Sequence, residues 1–261
     1  MFAKVEAVAK NGLSRDVLLN KVLGYAATMR ATRISEEMIA RYGPVVWSGP
    51  FKGMTFVGGI APRLIGCYES ELHSAVESLV AERFDSIVNI GCGQGYYAIG
   101  FARRVCAAKI YAYDIDPVAL ETCKRLAREN GVSDRITFGG AFAGQDFQSF
   151  AAEKTLVFCD IEGAEDALLD PRKYSGLVNI SVVVECHDGL NPGVSERLRE
   201  RFGPTHQIDL VSSRNRSCQL PEWIVARGEL DCLLATWEYR KSDTPWLVMK
   251  SKSASQRKAT S

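Results

Sequence analysis

From about residue 66 onward, short apolar runs alternate with helical segments, and this alternation limits the fold more than any other feature of the chain. The stretch ESELHSAVESLVAER (69–83) leads to SIVNI (86–90), and a glycine-rich turn opens into YYAIGFARRVCA (96–107). KIYAYD (109–114), the helix PVALETCKRLARENG (117–131) and RITF (135–138) follow. Then come LVFCD (156–160), a short helix EDALLD (165–170) and SVVVEC (181–186). Runs this apolar do not suit a sheet with one wet face; they predict an α/β fold with a parallel sheet covered by helices on both faces. The end of the chain differs. HQIDLVSS (206–213) and WLVMKS (246–251) read as strands with no convincing long helix between them, consistent with a closing hairpin.

Upstream, apolar positions such as Val17, Leu18, Val22, Leu23 and Tyr25 recur at helical spacing. A second helical piece, ISEEMIARYG (34–43), takes Ser35 as its N-cap and Gly43 and Pro44 as its stop. The Gly- and Pro-rich segment PVVWSGPFKGMTFVGGIAPR (44–63) reads as a hairpin or loop and as a hinge between an N-terminal cap and the main domain. A length of 261 residues suits one large domain, or one domain with an appendage. No stretch approaches the ~20 apolar residues that span a bilayer, and Lys4, Glu6 and Lys10 interrupt the start where a secretion signal needs an apolar core. A cytoplasmic protein without membrane contact is expected. Lys and Arg number 32 against 31 Asp and Glu, a formal charge of +1, which gives no general attraction to nucleic acid. The eight cysteines contain no C-x-x-C pair and several sit inside apolar runs, so they read as small buried hydrophobes.

The turn VNIGCGQGYYAIG places Gly91, Gly93 and Gly95 between a strand and a helix, where the lack of Cβ atoms lets backbone N–H groups approach a ligand. One strand later, Asp114 lies 19 residues beyond Gly95, at the end of KIYAYD. A carboxylate there can accept hydrogen bonds from both ribose hydroxyls, so a nucleoside-containing cofactor is expected. A nicotinamide turn wants G-x-G-x-x-G, but the third position is Tyr96 and the pattern is G-x-G-x-G. That disfavours a nicotinamide-dependent oxidoreductase. A P-loop is excluded because no G-K-[ST] follows.

NIGCGQG followed by YAYDIDP resembles the first two motifs of class I S-adenosylmethionine-dependent methyltransferases. Four segments in order sharpen the resemblance toward the FkbM type: IGCYESEL (65–72), IGCGQGYYAIGFA (90–102), CDIEGAEDALL (159–169) and VVVECHD (182–188). Asn89 departs from the acid many members carry before the turn, and Cys92 and Gln94 depart from Ala and Asn. The helical pattern upstream reads as an N-terminal extension, and the resemblance implies a Rossmann-like class I methyltransferase fold: seven strands, mostly parallel with the last antiparallel, and helices on both faces. It divides the chain into a cap and hairpin (1–62), an S-adenosylmethionine-binding domain (63–251) and a flexible tail (252–261). It places Gly91, Gly93 and Gly95 under the methionine part of the cofactor, Asp114 on the ribose, and Ala141 and Phe142 against adenine. Asn89 and Ile115 join that set, Glu69 approaches the amino end, and Asp160 contacts the methionine amine or orients substrate. Ala141 cannot bind the adenine amine, so a backbone contact, Gln145 or Asp146 would substitute. Glu69 reads equally well as an acid that opens a helix.

In an open α/β sheet the ligand lies beyond the carboxyl ends of the strands. Two ends there are unusually polar, one with Asp160, Glu162 and Glu165, the other with Glu185, His187 and Asp188. Methyl transfer to a hydroxyl needs alignment and the removal of a proton. His187 is the leading base because its ordinary pKa lies near neutral, with Asp160 and Glu162 as further catalytic candidates. Asp160 with Glu185 or Asp188 offers hard ligands to a divalent cation, but nothing in the spacing demands one, and no metal is assigned. The absence of [DN]-P-P-[YFW] and of a Pro-Cys pair after the fourth strand argues against DNA-base methylation. The resemblance to the FkbM type implies that the acceptor is a hydroxyl of a small molecule or glycan; a homodimer is left open. The competing readings are an oxidoreductase and a non-catalytic binding scaffold.

Overall fold

A computed structural model describes residues 15–214, 217–240 and 242–253. Helical pattern before residue 15 and the tail beyond 253 lie outside the described residues. Seven strands form one sheet: β1 (Ser86–Ile90), β2 (Lys109–Tyr113), β3 (Ile136–Gly139), β4 (Thr155–Cys159), β5 (Ser181–Glu185), β6 (His206–Val211) and β7 (Trp246–Ser251). Their order is β3-β2-β1-β4-β5-β7-β6. β1 to β5 pair in parallel, while β7 slots antiparallel between β5 and β6. This is the Rossmann-like class I methyltransferase fold that the motifs imply.

Alternate side chains of each central strand enter separate cores, as period-2 geometry requires. Ile87, Leu156, Phe158, Val183 and Val248 face one side, together with α3 (His73–Ala81), α4 (Tyr96–Arg104) and α5 (Pro117–Glu129). Val88, Val157, Val182, Val184 and Leu247 face the other, against α6 (Phe147–Phe150) and α8 (Val194–Phe202), with α7 (Glu165–Leu168) nearby. Asp116 caps α5 by accepting from the Val118 amide at 2.8 Å, and Pro117 supplies its preset φ at the first helical position. All eight cysteines are free thiols and five are buried.

Several features differ from the sequence reading. The N-terminal segment is one continuous helix, α1 (Arg15–Tyr42), rather than two pieces. Ser35 does not cap; buried mid-helix, it donates from Oγ to the Ala31 carbonyl. A short α2 (Ala61–Ile65) ends the Gly- and Pro-rich segment, which turns back on itself antiparallel through a bridge, Val45 to Thr55, and the Val46 N–H to Met54 carbonyl bond at 2.8 Å. The expected closing hairpin exists as the β6–β7 pair, but its connection carries α9 (Glu222–Val225) and α10 (Glu229–Ala235). These pack on α1, tied by the bidentate Arg30–Asp231 pair at 2.9 and 2.5 Å. Their brevity hid them from a periodicity search. α8 was likewise not anticipated: its strongly charged sequence, VSERLRERF, buries only Val194, Leu198 and Phe202.

Phe158 is the aromatic hub beside the site, with ring centroids 4.0 Å from Tyr97 and 5.2 Å from Trp246. Phe158→Ala should destabilise the fold by about 3–5 kcal/mol through the cavity it leaves. Urea unfolding checks this, and a loss under about 1 kcal/mol would contradict it.

Candidate active site

Strand register assembles the site. Ile90 lies opposite Tyr113 on one side and Cys159 on the other, so Gly91, Asp114 and Asp160 leave the sheet at one level. Cys159 lies opposite Val184, which brings Glu185 alongside Asp160. The chain crosses from β3 back to β4 here, at the switch in strand order where α/β ligands bind. A cavity of about 470 Å³ opens at this point.

The three turn glycines do different work. Gly91 (φ +76°) packs backbone on backbone: an added Cβ would sit 1.6 Å from the Asp160 carbonyl oxygen. Gly95 (φ +92°) makes room for the Cys123 thiol. Gly93 (φ +51°) faces open space, with nothing within 4 Å of its missing Cβ, and lines the cavity. Asp114 Oδ2 accepts from the Gly93 amide at 2.6 Å and Oδ1 from the Asp116 amide at 2.8 Å. Each oxygen keeps a second lone pair. Ile115, 84% exposed, Ala141 and Phe142 line the same cavity. Gln145 and Asp146 are not among its lining residues, and Asp146 accepts from the Ala143 amide instead. Asn89 donates from Nδ2 to the Phe158 carbonyl, while its buried Oδ1 at the cavity wall has no hydrogen-bond partner.

The catalytic candidates gather at the β4 and β5 ends. Asp160 and Glu162 line the cavity; His187 sits one layer behind, nearly buried. His187 Nδ1 lies 2.8 Å from Glu165 Oε1, and its Nε2 faces Glu162 at 3.4 Å, Glu185 at 3.7 Å and Asp160 at 3.8 Å. Burial alone would favour neutral imidazole, but the Glu165 hydrogen bond and the facing carboxylates raise its pKa above the ordinary value. For Glu165 burial is likewise outweighed, by bonds from His187 and the Gly163 amide, and its carboxyl is held low. Burial and the neighbouring Glu185 and Glu69 push Asp160 well above the carboxylate range. Asp160 Oδ1 has no hydrogen-bond partner. Donor atoms of Asp160, Glu185 and His187 lie within 4.8 Å of one another, a set able to take a divalent cation. Asp188 is turned away and accepts from the Ser195 amide at 3.3 Å.

Glu69 is not a cavity-lining residue. It is buried at φ +49°, accepts from the Tyr97 hydroxyl at 2.5 Å, and borders an ionic cluster. Arg240 stands at the centre, with Glu185 and Glu238 at 2.8 Å, Glu71 at 3.2 Å and Glu69 at 3.6 Å. The carboxylates raise the Arg240 pKa against the lowering effect of burial. Little marks Arg240 in the sequence, because apart from the neighbouring Glu238 and Thr244 its partners Glu69, Glu71 and Glu185 come from elements far away in the chain. Arg63 and Tyr68, stacked with the guanidinium 4.4 Å from the ring centroid, also line the cavity and were not anticipated. No described residue before Arg63 lines it.

Residues 70–161 match the family model for ribosomal protein L11 methyltransferase (PrmA). The chain is similar to the ribosomal protein L11 methyltransferase of Bacillus pumilus, 33% identical over 103 residues, which is 40% of this chain and 28% of that protein. It is 39% identical to the release factor glutamine methyltransferase of Chlorobaculum tepidum over 75 residues, 27% of this chain and 26% of that one. The chain thus spans well under half the length of these relatives. Among solved structures, a Bacillus cereus O-methyltransferase in complex with SAH aligns with 86% of this chain and 91% of its own, at 11% identity and a TM-score of 0.48.

Burial and the facing Glu185 carboxylate push the Glu69 carboxyl up to about 8, from an ordinary 4.5. Below pH 4.5 both folded and unfolded chains hold this proton. Between there and about 8 only the folded chain does, so stability should fall with rising pH, by at most roughly 1.4 kcal/mol per pH unit. Glu69→Gln should flatten that slope in urea unfolding across this pH window; an unchanged slope would rule out the buried proton.

Proposed function

We propose that this protein is an S-adenosylmethionine-dependent methyltransferase of the FkbM type, and that its acceptor is a hydroxyl oxygen of a small molecule or glycan. The observation that carries the reading is the bare turn at Gly93 held against Asp114, open to a cavity whose far side is apolar. The donor set fits such a cofactor. The Asp114 oxygens, oriented by two backbone amides, keep lone pairs for a ribose diol. Ile115 and Phe142 offer apolar surface to a purine, and the unsatisfied oxygen of Asn89 suits a cationic amino group. The L11 methyltransferase family match over 70–161 covers this half of the site and supports the methyltransferase part of the reading.

When bound, the cofactor supplies a methyl group on a positively charged sulfonium. The chain's residues supply the rest. Asp160 in its ionised form, with Oδ1 free of hydrogen-bond partners at the cavity wall, would accept the hydroxyl proton as the carbon–oxygen bond forms and the methyl–sulfur bond breaks; burial and the neighbouring Glu185, which raise its proton affinity, would make that carboxylate a stronger base. His187, locked by Glu165 and proton-rich, positions Asp160 and balances its charge rather than serving as the base itself. Glu162, at φ +54° and exposed, stands at the cavity mouth, where it can contact the acceptor. A protein acceptor is the second reading, favoured by the names of the curated relatives.

Calorimetric titration with S-adenosylhomocysteine tests the core of this reading; binding of NAD in its place would overturn it. Asp114→Ala should weaken that binding by about 1.5–3 kcal/mol through lost charge-assisted hydrogen bonds. Asp160→Asn should lower turnover ~100-fold or more while S-adenosylhomocysteine affinity changes far less. Transfer of labelled methyl from the cofactor to a metabolite extract, set beside transfer to a protein extract, separates the two acceptor readings.

A further inference from the structure

Helix α1 changes character along its length. From Ala31 onward it docks on the body through Ala31, Ile34, Ser35 and Met38, and its outward face is polar apart from Ile39 and Tyr42, 36% and 38% exposed near its end. In the preceding fourteen residues (16–29) only Asp16 and Lys21 are charged, and none of the fourteen is buried. Leu19, Val22, Ala26 and Met29 follow a heptad-like 3–4–3 spacing on the side opposite the docking face, flanked by Leu23 and Tyr25. Leu19 is 54% exposed, Leu23 57%, Tyr25 47% and Met29 53%. Continued at the same spacing, the stripe carries Arg33 and Glu36, which bond to each other at 2.9 Å in solvent. The apolar side therefore begins where the helix leaves the body, which a merely solvated helix does not require.

We infer that residues 16–29 of α1 pair with the same segment of a second copy of this chain, antiparallel and across a two-fold axis near Leu23. In that arrangement Leu19 meets the partner's Met29 and Val22 meets the partner's Ala26, with each contact made twice. Exposed Asp16 comes opposite the partner's Arg30, whose side chain keeps 38% exposure beside Asp231. The small side chain at Ala26 allows close approach. Leu230 and Leu233, 67% and 68% exposed on α10 beside α1, add apolar area toward the ~1,200 Å² of a stable interface. A net charge of +1 sets little long-range repulsion between copies. A lipid surface suits the segment less well, because interfacial helices carry several basic residues on the polar face and this one has Lys21 alone.

Sedimentation equilibrium of the full chain should give twice the 28.7 kDa chain mass at micromolar concentration. The double substitution Leu19→Glu with Met29→Glu lies on exposed positions, so circular dichroism and melting temperature should hold while the dimer constant weakens ~100-fold or more. Leu19→Cys mixed with Met29→Cys should form an interchain disulfide on oxidation, beyond the background of the unsubstituted chain, whereas neither variant alone should. A monomeric unsubstituted chain overturns the inference, as does a dimer indifferent to the double substitution. Cross-linking of Leu19→Cys to itself overturns the antiparallel arrangement. Vesicle flotation of a monomeric chain that the double substitution abolishes assigns the stripe to lipid instead.

Discussion

Everything at the cavity depends on β1 lying in step with β2 and β4. A slip of one residue would turn every side chain of β1 to the opposite core and separate Gly91 from Asp114 and Asp160. Two apolar layers enforce the register, since all five residues of β1, of β4 and of β5 are buried. At the end of β1 the main chain meets the Asp160 carbonyl so closely that only glycine fits. The packing that fixes the sheet thus also fixes the distance between the turn and the acids facing it.

The second constraint is charge. Glu69, Glu71, Glu185 and Glu238 converge on one guanidinium, and Glu165 and Glu162 flank one imidazole. Buried acids at this density are tolerated only when paired or protonated, and both solutions occur side by side here. Among the described residues, three of the four non-glycine residues with positive φ, Glu69, Glu162 and Tyr239, belong to or border this region. Backbone strain of that kind persists where surrounding contacts hold it in place.

The turn glycines, Asp114 and the strand ends were legible because each is local: a short motif with a fixed relation to one strand. The sheet was legible because buried strands read as unbroken apolar runs. Arg240, Arg63 and the role of Glu165 were not. Arg240 meets partners more than fifty residues away in the chain, and Glu165 looks like any acid in a first helical turn until His187 is folded against it. His187 itself was read from its solution pKa, whereas its neighbours decide how it holds a proton. The α9–α10 connection escaped because four- and seven-residue helices carry too few turns to show a period.

The placement of Arg240 on the connection between β6 and β7 has a consequence for how such a chain tolerates change. That connection is a counter-ion as well as a piece of architecture. A swapped or shortened version lacking the guanidinium would leave several carboxyls crowded in a low-dielectric interior, and they would recruit protons from solvent to survive. The wall behind Asp160 would turn from ionic to neutral without any residue there being altered. Remodelling a surface excursion would then retune acid–base chemistry at the heart of the sheet.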